Sequence, residues 1–185
     1  MFARFFKRIP ASDVPQELYG SVVAQARQPV FFTDYGFPDT VTGRFDLVTL
    51  HLFLFSRRMV REDKPVAQSL NQEVFDRFTD ETDRALRELG VGDTSVPKRK
   101  KRMVHSFYAI VEEFSGPLDA NDADALIAKI TTRFNAADAR GAGQVEFKSR
   151  ALATYLFAAV DILDATRCDE LLKGRLTWPD PEASL

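Results

Sequence analysis

Along this chain apolar residues recur at steps of three and four, and no stretch sustains the alternation of a half-buried strand, so the pattern predicts an all-α protein. Ser12-Asp13-Val14-Pro15 supplies a cap and a proline tolerated in a first turn. Leu18, Val22, Val23 and Ala26 then form the stripe of a first helix, which Pro29 ends. Thr42 to Arg58 is apolar on nearly every side, the pattern of a helix surrounded by others. Pro65 to Leu89 is a long amphipathic segment closed by Gly90. The turn Val91 to Pro97, with a capping serine, joins it to a helix from Lys98 to Phe114, completing a hairpin. Gly116-Pro117 is expected to break that helix. Asn121 or Asp122 caps a segment carrying Leu126, Ile127, Ile130 and Phe134, and Asn135 to Gly143 reads as a loop. An alanine-rich helix from Ala151 to Leu163 and a short piece from Cys168 to Lys173 follow, and Trp178-Pro-Asp-Pro181 is expected to fray. The expected architecture is one compact helical domain over residues 12–175, with six or seven helices around a hydrophobic central one. A basic aromatic arm (1–11) precedes it and a tail (176–185) follows.

Composition narrows the chemistry. A chain of 185 residues, 45% hydrophobic and 28% charged, suits one globular domain. Its formal net charge of -2 gives no global attraction to nucleic acid or anionic lipid, so such binding needs a local patch. Cys168 is the single cysteine and only His51 and His105 accompany it, which excludes an intramolecular disulfide and a Cys/His metal set and fits a reducing cytosol. The start lacks the apolar core and cleavage site of an export signal. The most apolar run, Phe45 to Phe55, is far short of the roughly 20 residues that span a bilayer. Glycine-rich phosphate loops, a Gly-x-Ser-x-Gly elbow and paired histidines are all missing, so neither an enzyme nor a cofactor is expected. Asp119, Asp122 and Asp124 lack the later glycine and glutamate of a calcium loop, and capping is their expected use.

One segment, Val30 to Asp39, places four aromatics among turn residues. It reads as an ordered loop, pinned by buried rings or else presenting Phe31, Phe32, Tyr35 and Phe37 as a binding surface. Leu18-Tyr-Gly-Ser-Val-Val-Ala-Gln-Ala-Arg27, Phe31, Tyr35-Gly-Phe-Pro-Asp-Thr40 and Gly43-Arg-Phe-Asp46 resemble the opening signature of ubiquinol-cytochrome c chaperones. Leu50-His-Leu52 with Arg57-Arg58, Phe75 to Asp83, Leu86 to Asp93, Val96 to Arg102 and Phe107-Tyr108 continue the likeness through Leu118. Several ordered blocks are far more specific than one short motif. The resemblance implies an assembly factor of the cytochrome bc1 complex that holds newly made cytochrome b, or another subunit of that complex, until haem and partner subunits are in place. Some family members work beside the ribosome.

Four features carry candidate chemistry. His51, among apolar neighbours, reads as a core histidine bonded to backbone or carboxylate, with a ligand or switch role as the alternative. Arg44 and Asp46 flank the start of the central helix, where capping and dipole roles compete with partner contact. Lys98, Arg99, Lys100, Lys101 and Arg102 crowd a helix start that disfavours positive charge. They are either paired with acids such as Glu81 and Asp83 or free to meet ribosomal RNA, anionic lipid or an acidic partner, with Tyr108 beside them. Phe2, Phe5 and Phe6 of the arm offer a weak peripheral membrane contact, disorder being the alternative. The expected protein is a binding chaperone in the cytoplasm, at the inner face of the membrane, with no DNA partner. An RNA- or ribosome-associated module is the second reading.

Overall fold

The computed structural model describes residues 13–88, 90, 96–135 and 147–185. Among them the regular structure is helical throughout, as the pattern predicts. Helices α1 (Val14–Ala26), α3 (Val41–Val60), α4 (Pro65–Glu88), α5 (Val96–Asp119), α6 (Ala123–Ile130) and α7 (Ser149–Ala165) form the body. Single turns α2 (Val30–Thr33) and α8 (Cys168–Leu171) complete the set, and a π-helical turn (Thr131–Asn135) extends α6. The arm carrying Phe2, Phe5 and Phe6, the capping turn after Gly90 and most of the loop expected at 135–143 lie outside the described residues.

Local chemistry sets the helix starts. The Asp13 carboxylate accepts from the Gln16 amide at 3.3 Å, the Thr40 hydroxyl from the Gly43 amide at 3.1 Å, and Asp122 from the Ala125 amide at 2.9 Å, each satisfying an amide that has no partner within its helix. Gly43 has a second reason to be glycine, because a Cβ there would lie 2.0 Å from the Pro38 carbonyl oxygen. At the end of α4, Gly90 adopts φ 75°, the left-handed conformation of a helix stop.

α3 is enclosed as its composition requires: Leu47, Leu50, Leu52, Phe53, Leu54, Phe55 and Met59 are buried on all sides. Phe45 stacks on Phe78 of α4 at 5.7 Å between centroids, and Phe75 of α4 meets Phe107 of α5 at 5.0 Å edge to face. These contacts run α4 antiparallel to both neighbours, so α3 and α5 point the same way and their starts share one end of the bundle.

Two expectations are corrected here. Gly116-Pro117 does not break α5, which continues to Asp119. Pro117 sits in the final turn, where only the bond to residue 113 is lost and the helix stops before further clashes accumulate. The tail does not fray either. Trp178 packs on the His51 ring at 5.2 Å, Pro181 is buried, and Pro181–Ser184 form a 3-10 turn. Residues 178–184 thus form a strap across α1, α2 and α7.

Candidate functional site

Phe31, Tyr35 and Phe37 are buried, which corrects the expectation of an aromatic client surface and leaves the alternative of a segment pinned by its rings. Pro29 supplies a pre-set φ, and Val30–Thr33 close one helical turn where turn chemistry suggested a loop. Phe31 then meets Tyr35, His51 and Tyr155 at 5.2 to 5.4 Å between centroids. Phe37 packs with Phe134 and Phe147. Phe32 is partly buried, with the Arg44 guanidinium 5.9 Å from its ring centroid.

At the centre a polar chain crosses the core. His51 is fully buried, its Nδ1 2.7 Å from the Leu47 carbonyl and its Nε2 2.7 Å from the Tyr155 hydroxyl. A carbonyl can only accept, so Nδ1 carries the proton and Nε2 accepts from Tyr155. The Tyr155 oxygen accepts in turn from the Gln25 amide at 3.0 Å, and that same amide also donates to the Pro179 carbonyl at 3.0 Å. Burial pushes His51 down to about 4, so the ring is neutral near pH 7. Tyr35, raised to about 12 by burial, donates to the Pro181 carbonyl at 2.6 Å. His51 therefore has the core role expected of it, though its side-chain partner is a tyrosine rather than a carboxylate. The chain links α1, α3, α7 and the strap, and Gln25, Tyr155 and Trp178 were not distinguishable as its members from the sequence.

The accessible chemistry lies on α5. Lys98, Lys101, Arg102 and Tyr108 share one exposed face at helical spacing with His105, while Phe107, Ile110, Phe114 and Leu118 occupy the opposite, buried one. Tyr108 is 59% exposed. Lys100 is half-buried, and the Arg99 side chain lies outside the described residues. Glu81 pairs with Arg84 at 3.3 Å and Asp83 with Arg87 at 3.0 Å, so the acids expected to neutralise the run are engaged within α4. Arg44 pairs with Asp39 at 2.6 Å on the surface, and Asp46 is half-buried in the first turns of α3. The parallel course of α3 and α5 places Arg44 and Asp46 at the same end as the cations.

The opposite end is tied electrostatically. Arg57 and Arg61 reach the Asp119 carboxylate at 2.7 and 2.6 Å, and both reach Asp164. Arg58 donates to the Leu163 and Thr166 carbonyls at 2.8 and 2.9 Å. The negative ends of α3, α5 and α7 meet here, and the arginines offset them. No cluster of three or more metal-ligating side chains occurs among the described residues, and no helix there is long and apolar enough to cross a membrane.

A helical body with a closed polar centre and charged, accessible faces defines an all-α protein. The chain belongs to the Ubiquinol-cytochrome C chaperone family, whose sequence profile matches residues 33–178. The crystal structure of the Cbp3 homolog from Brucella abortus is similar, with a TM-score of 0.79 and 34% sequence identity, covering 91% of this chain and 90% of that one. No curated protein matches the sequence.

Proposed function

We propose that the protein binds newly made cytochrome b and holds it for assembly into the bc1 complex, working in the cytoplasm at the inner face of the membrane by binding and release without bond chemistry. The family match across residues 33–178 carries this reading. With Phe31, Tyr35 and Phe37 buried, the α5 face bearing Lys98, Lys101, Arg102 and Tyr108 remains accessible as proposed partner surface, with Arg44 exposed at the same end. An exposed tyrosine beside cations suits a partner with both apolar and acidic groups.

The test is a reduced-minus-oxidised spectrum of membranes from cells lacking the gene, with immunoblots for bc1 and cytochrome oxidase subunits. Selective loss of the cytochrome b signal and of bc1 subunits is expected. Unchanged spectra under bc1-dependent growth would remove the reading. A second reading, association with ribosomal RNA, is favoured by the same cation stripe, and it requires salt-sensitive ribosome binding that disappears when those cations are neutralised.

A further inference from the structure

Between the strap and the α1–α2 corner lies an open cleft of about 450 Å³. Trp178 forms part of its wall, and Asp34, Asp180 and Glu182 line it without a cationic partner among the described residues. Three prolines in the lining, Pro29, Pro179 and Pro181, bring no N–H donors. Gln25 also lines the cleft although it is only 8% exposed. Both hydrogens of its amide are spent on Tyr155 and Pro179, while its carbonyl oxygen accepts nothing from the described residues and is not sealed off from open space. The cleft thus offers acceptors in excess on a mostly polar lining, with one indole beside them, a combination that matches a lysine or arginine side chain.

We propose that this cleft binds a lysine- or arginine-bearing segment of the membrane client. The inference rests on the cytochrome b reading above, and it names the part of the client that docks here. Membrane proteins concentrate Lys and Arg in cytoplasmic loops next to apolar spans, which is the chemistry this cleft accepts. Because Gln25 bridges the cleft to Tyr155 and Trp178 packs on His51, an occupant braces against groups tied into the buried centre of the fold.

Trp178 is the only tryptophan, so its fluorescence reports on the cleft wall. A synthetic peptide of alternating lysine and leucine, titrated into the full chain, is expected to shift Trp178 emission saturably. Added salt should weaken the binding, and the glutamate–leucine counterpart should leave emission unmoved. The variant Asp34→Asn/Asp180→Asn/Glu182→Gln, in which Asn can still cap at position 180, is expected to bind about tenfold more weakly or worse. Glu182→Gln alone, at an exposed position, should give a smaller loss in the same direction. Emission that stays fixed with the lysine peptide, or shifts equally in the triple variant, overturns the proposal. A shift in the free protein on deletion of residues 1–8 would assign the cleft to the chain's own basic arm and also overturn it. In cells, deletion that depletes bc1 followed by full rescue with the triple variant removes the cleft inference alone, whereas deletion that spares bc1 removes the client reading beneath it.

Discussion

His51 illustrates how burial turns a titratable side chain into a structural one. Its ring nitrogens are both engaged, and protonation in place would put a charge where desolvation already holds the group down to about 4. The unfolded chain takes up that proton near 6.5. Between these two values the unfolded state binds more protons than the folded one, so the stability this residue contributes is complete above pH 6.5 and drains away as pH falls toward 4. The loss over that window is on the order of 3 kcal/mol. Denaturant midpoints measured across the window, for the protein and for His51→Gln, should show a steeper acid loss in the unmutated chain; parallel curves would refute the assignment. The core role of His51 was legible because apolar residues surround it in sequence. Its partner was not, since Tyr155 lies 104 residues away and no local pattern marks a tyrosine that will meet a histidine.

Helices were legible wherever periodicity ran for several turns, as in α3, α4 and α5. The misread elements were short or proline-bearing, and there tertiary contacts decide. The one-turn helix α2 is held by the rings of Phe31 and Tyr35. Pro117 is tolerated because α5 ends two residues later. The strap has no periodicity at all and is fixed by single anchors: Trp178 on His51 and Ser21, Pro179 on Gln25, and Pro181 on Tyr35. Truncation after Leu176 should therefore destabilise the protein by about 4 kcal/mol, combining roughly 2 kcal/mol of apolar burial at Trp178 with the cost of leaving the Tyr35 hydroxyl and one hydrogen of the Gln25 amide without acceptors. Calorimetric melting of the truncated chain checks this, and a melting temperature unchanged from the full chain would show that the strap contributes nothing.

At the scale of the whole molecule the two ends of the bundle differ in kind. Arginines at one end are engaged with carboxylates and helix carbonyls, whereas Lys98, Lys101 and Arg102 at the start of α5 face solvent. Replacing Lys98, Lys101 and Arg102 by glutamine should leave unfolding free energy within about 0.5 kcal/mol, because exposed groups with no ion pair among the described residues contribute little to stability. The same variant should recover less cytochrome b in pull-downs from detergent-solubilised membranes; undiminished recovery would place the client contact elsewhere. Family membership was legible because its residues are spread over many blocks. The accessible face was only half legible: charge and spacing marked the cations, but whether an aromatic residue ends inside or outside depends on packing that the local sequence does not encode. The strap also governs the order of events at birth. Tyr35 finds its acceptor 146 residues later, and Gln25 its second one 154 residues later. While the chain emerges from the ribosome, these two side chains must stay hydrated until residues 179–181 have been made and released, so the centre of the fold closes as one of the last steps of folding rather than growing outward from the first helix.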